Sequence, residues 1–129
     1  MIHQLNDSQS SYIQIVVTGV VEKATLLEAM SEVFRHPDYN FKHSLWNFSN
    51  ATSLGLSIVD MKELVGILKL FKIKDKTFAN KVALLIPNHL HQAMATIFVS
   101  LSKLLPFEYK IFQTREAAIN FLVPPVPTP

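Results

Sequence analysis

The sequence contains no cysteine and only three glycines in 129 residues. Without cysteine, the chain can form no disulfide, no thiolate zinc site and no cysteine nucleophile. With so few glycines, it has no glycine-rich loop of the kind that holds nucleotide phosphates. Apolar residues are abundant: they make up 49% of the chain, which is enough to build a single core by packing alone.

The net charge is also small, and long apolar runs are missing. The formal charge is only +2 at pH 7, which is too small to indicate a nucleic-acid partner. No apolar run reaches roughly 18 residues, the length that spans a bilayer. The first twenty residues lack the basic and apolar segments of a signal peptide. We therefore expect a soluble cytoplasmic protein with no membrane span and no nucleic-acid partner.

Strand-like and helix-like segments alternate along the chain. Enrichment in β-branched and apolar residues predicts strands at IHQL, YIQIVVTGVV, HSLWNFS, KVALLIP and FEYKIF. Apolar spacing of three and four residues predicts helices at EKATLLEAMSEVFRHP, LSIVDMKELVGILKLFK, HLHQAMATIFVSLSKLL and REAAINFL. The order β-β-α-β-α-β-α-β-α predicts an α/β fold in which a hairpin precedes parallel β-α-β units with right-handed crossovers.

We expect one domain over residues 1–123 and an extended or disordered proline-rich tail over residues 124–129. In the third predicted helix, the apolar stripe has the spacing of a helix that lies flat on a sheet. Its members are Leu90, Ala93, Met94, Ile97, Phe98, Leu101, Leu104 and Leu105. If all helices pack on one face of the sheet, Trp46 or its same-face neighbours come to lie at a groove or a dimer contact.

Several segments together resemble a known family. They are GVVEKATLLEAM, HPDY, LWNF, KVALLIP, MATIF, PFEYKIF and EAAINFL, in that order. The chain resembles the small bacterial SpoIIAA-like proteins, which are grouped with STAS and CRAL-TRIO-type domains, from about Tyr12 to Leu122. The resemblance implies a four-turn β-α superhelix with sequentially ordered parallel strands and an added N-terminal edge strand. Most members of this branch have no assigned biochemical function.

The better-understood STAS relatives are anti-sigma factor antagonists with a phosphorylated serine in an Asp-Ser-Ser-Gly motif. The equivalent segment here reads NATSLGLS, in which no acidic residue precedes Ser53, so the motif is not matched. Members of the branch tend to have an aspartate at the end of the third strand, where this sequence has Asn47. The missing carboxylate weakens any acid–base or metal role at that position.

A polar loop after the third strand and the starts of the later helices predict a functional edge. In open α/β sheets ligands bind beyond the carboxyl ends of the strands, where helix N-termini favour anions. The candidate binding residues at this edge are Asn47, Ser49, Asn50, Ser53, Ser57, Asn88, His89 and Arg115. Ser57 with Asp60, Asn88 and Thr114 can alternatively serve as helix caps.

The second predicted helix carries more apolar residues than one buried face needs. Met61, Leu64, Val65, Leu68 and Phe71 form its buried stripe, whereas Ile67, Leu70 and Ile73 lie partly outside it. We interpret the latter three as a partner surface.

Catalytic and metal sites are not indicated. There is no Gly-x-Ser-x-Gly nucleophile elbow, and His89 and His91 diverge on a helix because they are two residues apart. We therefore predict no catalytic residues, no metal and no cofactor. The first hypothesis is a non-enzymatic regulatory or protein-interaction module of STAS-like type, with a protein partner or a second copy of the chain and a small anionic ligand as candidates. The alternative is a carrier of a small apolar ligand or lipid, and an enzyme is the third.

Overall fold

The computed structural model describes residues 3–6, 12–37, 42–70, 80–103 and 107–123. The strands are β1 (His3–Asn6), β2 (Tyr12–Val21), β3 (His43–Leu54), β4 (Lys81–Leu85) and β5 (Glu108–Phe112). The helices are α1 (Lys23–Arg35), α2 (Ile58–Leu68), α3 (His89–Leu101) and α4 (Arg115–Leu122). The proline-rich tail predicted for residues 124–129 lies outside the described residues.

Within these ranges the strands form one sheet in the order β1-β2-β3-β4-β5. β1 pairs antiparallel with β2, and all other neighbouring strands are parallel. The predicted α/β class, the sequential parallel sheet and the antiparallel edge strand are therefore confirmed. Each helix between parallel strands moves the chain over by one strand only.

The helices cover both faces of the sheet. Helices α1, α2 and α3 pack on one face, here called the three-helix face, which presents Ile13, Trp46 and Leu84. Helix α4 packs on the opposite α4 face, over Leu45 and Leu85. Trp46 lies under the helices and is buried. Because the helices do not all pack on one face, the groove or dimer contact considered for Trp46 does not arise.

β3 is longer than the sequence predicts. The polar residues after Phe48, expected to form a loop, continue the strand to Leu54 and pair with the end of β2. Two register shifts in this pairing place extra β3 residues opposite β2, which is the signature of bulges. Gly19, beside the second shift, has φ +77°, a conformation that glycine adopts without the strain of a Cβ.

Helix α3 does not bury the whole of its predicted apolar stripe. Met94, Phe98 and Leu101 are half-buried, but Ala93 and Ile97 are exposed. The helix ends at Leu101, before the predicted Leu104 and Leu105, which lie outside the described residues. Residues 71–79 also lie outside them. Among the α3 side chains that the structure describes, Ala95 is buried, and Phe98, Val99 and Leu101 are partly buried against the core.

None of the helices in the described ranges has the length and apolar content needed to span a bilayer.

Candidate functional site

The carboxyl ends of β4 and β5 lie level with each other and with Asn47, which lies inside β3. Asn47 pairs with Leu85, and Leu85 pairs with Phe112. Beyond this level the chain turns from β4 to α3 on one face of the sheet, and from β5 to α4 on the other face. Loops that diverge after neighbouring parallel strands leave a crevice, which is where open α/β sheets bind ligands.

The polar groups in this β4–β5 crevice are amides and an imidazole. Gln113 Nε2 lies 3.5 Å from His89 Nδ1 and donates to Gln92 Oε1 at 3.4 Å. Gln92 Nε2 donates to the Ile86 carbonyl oxygen at 2.7 Å, which holds the start of α3 against the end of β4. The crevice therefore offers hydrogen-bonding side chains beside the N-terminus of α3.

Gln92 and Gln113 were not among the predicted site residues. Gln113 could have been found because it directly follows a strand, β5. Gln92 lies one turn inside a helix, where a polar residue gives no signal until the helix is placed. His89 and Asn88 were predicted for this edge, and both lie there, His89 as the first residue of α3.

Arg115 begins α4 but its side chain is engaged elsewhere. The guanidinium donates to Gln14 Oε1 of β2, on the α4 face. Gln14 is buried, so this bond satisfies an oxygen that has little access to water. Beside Arg115, the Thr114 hydroxyl accepts from Ala117 N at 3.3 Å and caps α4 as predicted.

The remaining predicted residues follow β3 away from the crevice. Asn47 Oδ1 accepts from Ser49 N at 2.9 Å, within the first bulge, and Ser49, Asn50 and Ser53 are exposed. Asn47 pairs with Val16 and Ser53 with Val20, four residues further along β2. Ser53 therefore lies about 13 Å beyond the level of the crevice, and the predicted edge is divided into two separate groups.

Ser57 forms a reciprocal cap at the start of α2. Its hydroxyl accepts from Asp60 N, and Asp60 Oδ2 accepts from Ser57 N, both at 3.0 Å. The hydrogen bond from the Ser57 amide, ahead of other causes, lowers the pKa of Asp60 below its ordinary value. The capping pair expected from the sequence is confirmed.

Replacing Ser57 with alanine is expected to lower the free energy of unfolding by about 0.5–2 kcal/mol, because Asp60 N loses its acceptor. Ser53→Ala is the matched control and should change stability by less than about 0.5 kcal/mol, since Ser53 is exposed. Urea unfolding of both variants measures the difference. Equal losses for the two variants would contradict a capping role for Ser57.

The exposed apolar residues of α2 differ from those predicted as a partner surface. Ile67 is half-buried and packs against the core, and Ile73 lies outside the described residues. Leu70 is 78% exposed. The structure adds Val59 and Ile58, which are 63% and 53% exposed at the start of α2.

A second feature lies under the helices. A cavity of about 100 Å³ lies between the three-helix face of the sheet and parts of the helices that cover it. Space of this size left between apolar side chains destabilises a fold by about 2 kcal/mol. The chain would therefore gain stability from an apolar molecule that fills it.

In the part of the chain that the structure describes, no three His, Asp or Glu side chains are grouped as metal ligands. The arrangement offers hydrogen bonds at the crevice, exposed apolar side chains on α2 and a cavity under the helices, and each of these can bind a partner or a ligand.

No protein family model matches the chain, and no curated protein does. Among solved structures, it is similar to an uncharacterized protein of the DUF3478 family from Shewanella loihica PV-4, described as having a SpoIIAA-like fold. The match has a TM-score of 0.57 and 18% sequence identity, and it covers 93% of this chain and 91% of the other. At this identity the likeness establishes architecture, and the chain therefore has a SpoIIAA-like fold.

Proposed function

We propose that the protein is a non-enzymatic cytoplasmic regulatory module of STAS-like type that acts by binding another protein. A second copy of the chain is the first partner to test. The contact surface is the α2 outer face, defined by Ile58, Val59, Gly66 and Leu70. The observation that carries the proposal is that the three most exposed large hydrophobic side chains of the described residues are Leu70, Val59 and Ile58.

Gly66 supports this surface because nothing within the described chain requires a glycine there. A Cβ added to Gly66 meets no atom within 4 Å, and its φ is not positive. Glycine inside a helix costs about 0.5–1 kcal/mol relative to alanine. Gly66 lies seven residues after Val59 and four before Leu70, so it shares their face. A missing side chain between two exposed apolar ones lets another backbone approach closely.

The candidate binding residues predicted at the carboxyl edge of the sheet fall into two groups, and each has its own place in the proposed interaction. Asn88 and His89 in the crevice suit a small polar or anionic group beside the start of α3. Asn47, Ser49, Asn50 and Ser53 continue from the crevice toward Ser57 and the α2 outer face.

A regulatory charge is better placed on Ser53 than on Ser57. A phosphate on Ser57 would lose the bond from Asp60 N and would face the Asp60 carboxylate. Ser53 is exposed, so a phosphate there would change the surface without breaking the cap.

The experiment compares the wild type with Leu70→Asp and Gly66→Ala. Sedimentation velocity measures self-association. If another protein co-purifies with the wild type, the three forms are also compared as baits in pull-downs of that protein. Leu70→Asp is expected to abolish the assembly. Gly66→Ala is expected to weaken the assembly while raising the free energy of unfolding by about 0.5–1 kcal/mol. Opposite effects on binding and stability would separate a contact role from a folding role.

Val123→Asp is the matched control, because Val123 is also exposed but follows α4. It should assemble like the wild type. A wild type that forms no complex, or variants that assemble as wild type does, would show the proposal to be wrong.

A further inference from the structure

The cavity under the helices has a wall that carries no formal charge. It lies between β2, β3, β4 and β5 on one side and α1, α2 and α3 on the other. Among the described residues that line it, hydrogen-bonding groups are confined to Ser44, Trp46 and Tyr109. Ser44 and Tyr109 both flank Val82 in the sheet, so they lie in one row across the cavity floor.

Five aromatic side chains contribute to this wall: Phe34, Trp46, Phe48, Phe98 and Tyr109. Trp46 and Phe48 stack with ring centres 6.4 Å apart, and Phe98 meets Tyr109 edge to face at 5.5 Å. Aromatic rings prefer offset-stacked and edge-to-face neighbours, so this wall favours an aromatic guest over a linear hydrocarbon.

Methionines form much of the remaining wall on the helix side. Met30, Met61 and Met94 come from α1, α2 and α3 respectively. Their unbranched side chains adapt to the shape of a guest at small cost.

Charged guests are disfavoured because the wall offers them no counter-charge. Burial raises the pKa of the Tyr109 hydroxyl well above its ordinary value. Tyr109 therefore stays neutral at physiological pH and remains able to donate a hydrogen bond.

We propose that this cavity is a binding site for one small, uncharged, single-ring aromatic molecule. An engineered apolar cavity of about 150 Å³ binds benzene, and the present cavity of about 100 Å³ is of the same order. It is far smaller than the roughly 300–1,000 Å³ of pockets for drug-sized ligands, so a lipid with its acyl chains does not fit. The proposal does not depend on the partner surface of α2.

The test is an NMR titration of the full chain with benzene, toluene and phenol, with benzoate as the charged probe. Saturable one-to-one binding is expected for the first three and none for benzoate. Intermolecular NOEs from benzene should reach the methyl groups of Leu64, Ile86 and Met94, which line the cavity. NOEs only to surface methyl groups, or no saturable shift up to the solubility limit, would overturn the proposal.

Two variants on α3 sharpen the test. Ala95→Leu places a larger side chain in the cavity wall and should weaken benzene binding at least tenfold. Ala93→Leu, two residues away and exposed, should bind like wild type. Equal affinity in both variants would overturn the proposal, and the wild-type NOEs decide the matter if Ala95→Leu does not fold.

Tyr109→Phe tests the polar end of the site. Phenol should lose about fivefold in affinity, the worth of one neutral hydrogen bond, while benzene binding is unchanged. A loss that is the same for both probes would show that Tyr109 acts only through packing.

Discussion

Leu45→Ala is expected to lower the free energy of unfolding by about 3–5 kcal/mol, and Leu64→Ala by only about 2–3 kcal/mol. The two leucines are equally buried, at 0% and 1% exposure, so burial alone predicts equal losses. What differs is their surroundings. Leu45 lies between the sheet and α4, packed among Tyr12, Leu85 and Leu122, whereas Leu64 lines the cavity.

A side chain that borders a cavity lacks contact atoms on one side, so its removal forfeits less dispersion energy. Leu45 is fully buried in the cluster under α4, and its removal leaves a new space that α4 and the sheet must relax to fill. Urea unfolding of both variants, with equal slopes of free energy against denaturant, gives the comparison. A larger loss for Leu64→Ala would mean that the cavity wall is as tightly packed as the α4 face.

Arg115→Ala is expected to lower the free energy of unfolding by about 1–3 kcal/mol although Arg115 is exposed. The loss comes from its partner, because Gln14 Oε1 is buried and would be left without the guanidinium. A surface arginine whose only role is ligand binding would cost little or nothing on removal.

Gln14→Leu is the companion variant, because it removes the buried amide together with its need for a partner. It should be close to neutral, and Arg115→Ala in that background should cause no further loss. A double-mutant cycle measured by urea unfolding gives the coupling between the two residues. Zero coupling would return Arg115 to the set of free binding residues predicted at the carboxyl edge.

The parts of the fold that could be predicted from the sequence are those set by local chemistry. Ser57 and Thr114 cap helices because each hydroxyl bonds to an amide three residues on, whatever else the chain does. The sequential parallel sheet follows from strands and helices that alternate over short spans. These features depend on residues that are close in the sequence, so sequence patterns predict them.

The length of β3 could not be predicted because Ser49, Asn50 and Ser53 favour turns when judged alone. They are strand because β2 also continues, to Val21, and provides a partner. Tertiary pairing overrides the local preference here. It also moves Ser53 away from the crevice that it was expected to join.

The crevice and the cavity were beyond prediction for a different reason. The apolar pattern of α4 shows which side of the helix is buried but not which face of the sheet it covers. That choice makes the β4–α3 and β5–α4 loops diverge, which opens the crevice. The cavity is what remains after large side chains such as Trp46 and Phe98 have packed. Such leftover volume has no periodic signal in the sequence.

The position of α4 on its own side of the sheet has a consequence for folding on the ribosome. Helices α1, α2 and α3 each emerge between the strands that they cover, so that side is sheltered as synthesis proceeds. The opposite side, with Leu45, Ala83 and Leu85, stays uncovered until residues 115–122 have been made. Nascent chains that stall before this point would present a bare apolar sheet to chaperones and to one another.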